Sequence, residues 1–291
     1  MTRLAVRLSQ FALALFLLPS PSHADDPPPE KKYEDFNKVV AGAKVHDGLF
    51  KLYQKDENLF VEMRPDQFDK PYLAPISLAR GMGMGGHTLN FDEQWVLMFK
   101  RVGEKIQVIR RNVHFAARQG SPVSKAVETT YTDSVLFAIP IKTLNPSRGS
   151  ILFDLRPIFL SNFADLPLGF LDQDRSSWNK VKAFPKNVEI QVSATFSSKR
   201  APDDVIDPRG NTVVIQYGLV ELPDFLYQPR VADDRVGHFI TAVKDFTSDS
   251  KDTAFVRYVN RWRLERVDGS PWKEGAKLVP PKKKIVYWIE K

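Results

Sequence analysis

The chain has 291 residues, a formal net charge of +7 and no cysteine. A chain of this length buries roughly three quarters of its unfolded surface, which is enough for one or two domains with a substantial core. The lack of cysteine excludes disulfides, a thiol nucleophile and a cysteine-borne lipid anchor. The basic residues are mixed with acids and cluster only in RWRLER (261–266) and PPKKK (280–284), a pattern of solvated surface that does not call for nucleic acid.

The N-terminus carries Arg3 and Arg7, an apolar run from Phe11 to Leu18, and the small-x-small triplet Ser22-His23-Ala24. This order predicts a signal peptide over residues 1–24, cleaved between Ala24 and Asp25, and a mature product that is exported to the periplasm or beyond. The apolar run is far short of the roughly 20 residues that span a bilayer, and no later segment approaches that length. Proline and charge in DDPPPEKK mark residues 25–32 as a flexible linker.

YEDFNKVVAGA (33–43) predicts a short amphipathic helix built on Phe36, Val39 and Val40, ending near Gly42. From Gly48 the period becomes two. GLFKLYQKDENLFVEMR reads as two strands around a turn at Lys55–Asn58, with Leu59, Val61 and Met63 on one face and Phe60, Glu62 and Arg64 on the other. PYLAPISLA is a further extended run, in which Pro71 and Pro75 argue for edge positions. These pieces form an expected small helix-plus-hairpin domain over residues 33–86.

The remainder, 87–291, reads as a larger antiparallel β domain. Its strand candidates are EQWVLMFKRVGEKIQVIRR (a hairpin), SVLFAIPI, GSILFDL, NVEIQVSATF, NTVVIQYGLVEL, RVGHFITAV, RWRLERV and KKIVYWIE. RPIFLSNFADL and DRSSWNKV are candidates for short helices. Frequent short strands with few helices long enough for crossovers predict a mainly β fold, with antiparallel sheets arranged as a sandwich or partly closed barrel.

Local chemistry is sparse. Gly81, Gly83 and Gly86 match G-x-G-x-x-G in form, but no helix follows to face a phosphate. The mature histidines, His46, His87, His114 and His238, include no pair at H-E-x-x-H spacing, and no G-x-S-x-G is present. ADDRVGHFITAV (232–243) gathers acids, an arginine and a histidine, which makes His238 a weak metal candidate. On a strand, however, Asp234 and His238 stand roughly 13 Å apart, too far to share a metal held about 2 Å from each donor. A structural reading is favoured, with Asp233 or Asp234 pairing with Arg235 or capping a turn. Trp178, Trp262 and Trp272 are the aromatic candidates for a glycan or envelope-binding module.

Several stretches in order, GLFKLYQKDENLFVEM, YLAPISLARGMGMGG, WVLMFKRVGEKIQVIRRNVHFAA, AVETTYTDSVLFAIPI, VKAFPKNVEIQVSATF, VVIQYGLVELPD, PRVADDRVGHF and RWRLER leading to KKIVYWIEK, cover most of residues 33–291. Together they resemble the N-terminal, non-catalytic region of bacterial secreted zinc-dependent metalloproteases related to the metzincins, a region of two domains of unknown function. The family-like stretch includes Asp234, Arg235, Val236, Gly237 and Phe239. At His238 the family more often carries an aromatic, so the resemblance implies no ligand role there. It implies zinc chemistry only in a peptidase domain that would follow a strand like KKIVYWIEK, and no position of this chain matches that domain's ligands or base.

The resulting expectation is an exported, non-catalytic β-domain protein without a cofactor of its own. It would bind or position a peptidase domain, a polypeptide added along a strand edge, or an envelope component. Two alternatives stand beside it: the front part of an active secreted zinc metalloprotease, and a glycan-binding module.

Overall fold

The computed structural model describes residues 32–81, 95–199, 206–223, 227–247, 254–271, 273 and 275–287. Its first elements follow the local signals. Helix α1 (Phe36–Val40) is capped by Asp35, whose side chain accepts Lys38 N–H at 3.2 Å. Strands β1 (Lys44–His46), β2 (Lys51–Lys55) and β3 (Asn58–Met63) come next, and a two-residue turn with Asp56 at φ 52° joins β2 to β3. They are followed by β4 (Pro71–Ala74), β5 (Ile76–Arg80), β6 (Trp95–Val102), β7 (Lys105–Arg110) and β8 (Phe115–Ala116). After α2 (Pro122–Thr130) come β9 (Ser134–Asn145), β10 (Ser150–Asp154) and α3 (Arg156–Phe159). The chain continues through β11 (Phe170–Phe184), β12 (Asn187–Ser197), β13 (Asn211–Glu221), β14 (Ile240–Asp245) and β15 (Ala254–Val259).

Twelve strands form one antiparallel sheet in the order β1-β2-β3-β10-β9-β7-β6-β4-β13-β12-β11, with β5 also on β13. The sheet takes strands from both sides of residue 86. Its ends nearly meet, because Leu49 N–H donates to Phe184 O at 2.6 Å, which makes the sheet barrel-like. The fold is therefore mainly β and antiparallel, as the short period-two runs imply.

Alternation decides which side chains enter. Leu59, Val61 and Met63 of β3 join Ile106, Val108, Ile139, Phe153 and the alternating Val188, Ile190, Val192, Ala194 and Phe196 of β12 in the main core. The segment after β10, including α3, packs into the same core through Leu155, Ile158, Phe159, Phe163 and Leu168. Phe159 and Phe163 both meet the buried Tyr217 ring, at 4.9 and 5.7 Å between centroids. On the opposite face, Phe36 and Val39 of α1 cover Tyr53, Phe60 and Leu152.

Some elements depart from local expectation. Strand β4 is interior, paired with both β6 and β13. Pro71 is tolerated because it is the first residue of β4, and Pro75 lies between β4 and β5 with its carbonyl accepting Gly218 N–H at 2.9 Å. DRSSWNKV is strand rather than helix, being part of β11. RVGHFITAV becomes strand only at Ile240. RWRLERV is no strand, and of KKIVYWIE the described part, to Tyr287, is none either; this region forms a single bridge, Arg266 to Pro281. Helix α2 was not anticipated, although Ser121 accepts Ser124 N–H and Pro122 opens the helix, both start signals.

Candidate partner-binding surface

A second, three-stranded sheet, β15-β14-β8, is joined to the barrel through the residues after β7. Asn112 organises that joint. Its N–H donates to Asp133 Oδ1 at 2.8 Å and its Nδ2 donates to Phe115 O and Tyr131 O, while its Oδ1 accepts His114 N–H and Phe115 N–H. Phe115 stacks on Tyr131 at 4.0 Å between centroids, and Tyr131 reaches Phe246 at 5.6 Å. Beside this stack, Arg111, Asn112, Glu128 and Asp133 line a cleft of about 400 Å³, crossed by the Arg111–Asp133 ion pair at 3.2 Å.

Strand β14 pairs with β15 along its whole length but with β8 only through Lys244 and Asp245. Backbone polar groups alternate sides along a strand. Lys244 N–H donates to His114 O at 2.7 Å on the β8 side, whereas Phe239 O accepts Asn260 N–H at 2.8 Å on the β15 side. The N–H and C=O of Ile240 and Ala242 therefore point to the β8 side, where β8 has already ended. Among the described residues no strand pairs with this stretch of edge.

Apolar exposure accompanies the open edge. More than half of the exposed large apolar side chains among the described residues lie in 227–287. Phe239 is 65% exposed, Phe255 53% and Trp262 59%, and the Trp262 and Tyr287 rings meet edge to face at 6.3 Å. Apolar surface concentrated in this way marks interaction surfaces on soluble proteins.

The opening of this region is a turn. Val236 N–H donates to Asp233 O at 3.0 Å, and Arg235 donates through Nε and Nη2 to the two Asp233 oxygens at 2.9 and 2.5 Å. The guanidinium holds the Asp233 carboxyl down at about 2. Asp234, Arg235, Val236, Gly237, His238 and Phe239 are all exposed, leading into β14. His46 is elsewhere, its Nε2 3.3 Å from Gln54 Oε1, and His114 sits in the Asn112 joint. Ala24, Asp25, His87 and Trp272 lie outside the described residues. Among the described residues no three His, Asp or Glu side chains form a group able to hold a metal. The open edge itself was not readable locally, since it exists only because β8 is short.

These features define a mainly β domain with a barrel-like sheet and an attached three-stranded sheet that has an open edge. Residues 90–266 match the family described as domain of unknown function DUF5117, and the chain belongs to that family. The match spans β6 to β15 and reaches Arg266, so it includes the open β14 edge but stops short of Tyr287. No curated protein and no solved structure matches the chain.

Proposed function

We propose that this is an exported, non-catalytic β-domain protein that binds and positions a polypeptide partner, taken up along the edge of β14. The observation that carries the reading is the open Ile240–Ala242 edge flanked by exposed Phe239 and Ile240. Strand addition uses such an edge for main-chain hydrogen bonds and takes its selectivity from neighbouring side chains. Export rests on the basic, apolar and small-residue order of Met1–Ala24. The resemblance to the region ahead of a zinc-dependent peptidase suggests two partners, a peptidase domain or the polypeptide it would cleave, with zinc belonging to that peptidase.

The test uses the purified chain and an unfolded polypeptide, reduced and alkylated casein. Amide exchange at Ile240 and Ala242 is expected to slow when casein is added. Ala242→Pro should abolish the effect while keeping the fold, because the lost N–H is not one that β15 uses. Unchanged exchange would reject the edge, and zinc-dependent casein cleavage by the purified chain would reject the non-catalytic assignment. Reading the coding DNA past Lys291 for an H-E-x-x-H distinguishes a peptidase domain in the same product from one supplied separately.

A further inference from the structure

The barrel carries a second candidate site, far less apolar, where β11 bulges. Asp172 pairs with Thr195 of β12 and Ser177 with Ser193, so residues 173–176 stand opposite the single residue Ala194. A bulge of this kind turns side chains away from the sheet, and such bulges are frequent beside binding sites. This one is firmly built. Asp172 Oδ1 accepts N–H from Asp174 and Arg175, both at 3.1 Å, and its Oδ2 accepts Arg175 Nε at 2.8 Å. Ser176 Oγ donates to Asp172 O at 2.6 Å and accepts Thr195 N–H at 3.0 Å, while Thr195 Oγ1 donates to Arg175 O at 2.8 Å. Arg175 Nη1 donates to Arg209 O at 2.7 Å.

The bulge forms one wall of a cleft of about 520 Å³, whose other walls are the β2–β3 turn and the start of α3. Trp178 crosses between walls, its Nε1 donating to Glu57 O at 2.9 Å. Glu57 also lies 3.7 Å from Arg156 Nη1. Arg156 Nε is buried and has no hydrogen-bond partner among the described residues. With Nε shielded, it is the exposed part of the Arg156 side chain that a ligand in the cleft can reach.

The lining chemistry narrows the ligand. Gln54 and Gln173 supply amides, Ser177 a hydroxyl, Asp56, Glu57 and Asp174 carboxylates, and Arg156 and Arg175 guanidinium groups, while the Ser176 hydroxyl is engaged within the bulge. Three acids against two bases produce no strong field for a phosphate or a metal cation. The set instead offers donors and acceptors side by side, next to an indole. Sugar hydroxyls, which both donate and accept, match that mixture, and the C–H faces of a sugar ring suit an aromatic wall. We infer that the Trp178 cleft binds a neutral oligosaccharide, with Arg156, Gln173 and Asp174 making the polar contacts.

Titration calorimetry and intrinsic tryptophan fluorescence on the whole purified chain test this, with the tetrasaccharides of glucose and of N-acetylglucosamine as probes. At least one should bind with a dissociation constant of about 1 mM or tighter. Gln173→Ala and Asp174→Ala lie on the exposed bulge and should leave the melting temperature unchanged while weakening binding about tenfold. Arg156→Ala should weaken binding similarly but, with a side chain only 29% exposed and paired with Glu57, should also lower the melting temperature, and Trp178→Phe should remove the fluorescence response. Neither sugar binding at about 10 mM would overturn the proposal. Binding indifferent to Gln173→Ala and Asp174→Ala would also overturn it, as would Arg156-dependent binding of citrate or inorganic phosphate in place of sugar.

Discussion

Glu62 is the clearest case of sequence position setting side-chain chemistry. The period of β3 sends it to the face opposite the main core, yet only 3% of it is exposed. Burial pushes its carboxyl up, but the shift is outweighed by hydrogen bonds donated by Ser150, by Tyr53 at 2.8 Å and by Asn145 at 2.9 Å, and by the nearby charge of Arg148. The net pKa lies below the ordinary carboxylate value. A folded-state pKa below the unfolded one means that Glu62 contributes stability at pH above the ordinary value, and that this is lost as pH falls through the folded one. Asp154, which burial raises first, has the opposite sign, so the two partly offset each other on the acid limb and a Glu62 variant is needed to isolate its share. Glu62→Ala strands three donors and should cost about 3 kcal/mol in urea unfolding. Glu62→Gln keeps an acceptor for Asn145 and Ser150 and can donate to the Tyr53 oxygen; it should cost about 1 kcal/mol and flatten the acid limb. Equal costs for the two variants would show that the hydrogen bonds are not what holds this corner.

At the scale of elements, the β11 bulge is held by side chains rather than by the ladder. Removing its anchor with Asp172→Ala frees the backbone amides of Asp174 and Arg175 and the Arg175 Nε, leaving only Nη1 held, by Arg209 O. Trypsin should then cut after Arg175 several-fold faster in the folded protein, with the main unfolding transition retained; resistance equal to wild type would argue against an anchoring role. The same bulge shows what local pattern can and cannot report. The hairpins β2–β3 and β6–β7 were legible because short runs rich in apolar and aromatic residues flank a short polar turn. DRSSWNKV looks helical by spacing but is set by non-local packing: Val181 enters the core and Trp178 packs against it. RWRLERV alternates well enough for a strand and still forms none, because apart from the Arg266–Pro281 bridge no neighbouring strand pairs with it among the described residues. Of the candidate surface, the Asp233–Arg235 turn was legible, being a contact two residues apart. The open edge of β14 was not, since it depends on where a distant strand stops.

For the whole molecule, closure of the barrel-like sheet is the property on which most burial depends. At the seam, Gly48 lies against Phe184 so closely that an added Cβ would stand 2.5 Å from both its backbone nitrogen and its oxygen. Gly48→Ala should force the seam apart at a cost of about 1–3 kcal/mol, read as a lower urea midpoint with unchanged slope. The limits of the matched family raise a larger question. The match begins at residue 90, whereas β4 lies between β6 and β13, and β3 covers the edge of β10. A fragment of residues 90–291 would lack Leu49, Phe50, Leu52, Leu59, Val61, Met63, Tyr72, Ala74 and Ile76 from the main core. Retained core side chains that pack against them would be uncovered, as Phe99 would on losing Phe50 and Tyr72, whose rings stand 6.3 and 6.2 Å from its own, and uncovering one large apolar side chain costs about 1.5–3 kcal/mol. The truncation thereby approaches the roughly 5–15 kcal/mol by which a whole domain is stable. It also leaves bare edges on β6, β10 and β13, which invite aggregation. The fragment should therefore be expressed as insoluble or unfolded material, while residues 33–291 unfold in one cooperative transition. A soluble 90–291 fragment with a sharp melting transition and dispersed amide resonances would mean that the matched segment closes its own core, and that β1 to β5 only decorate it.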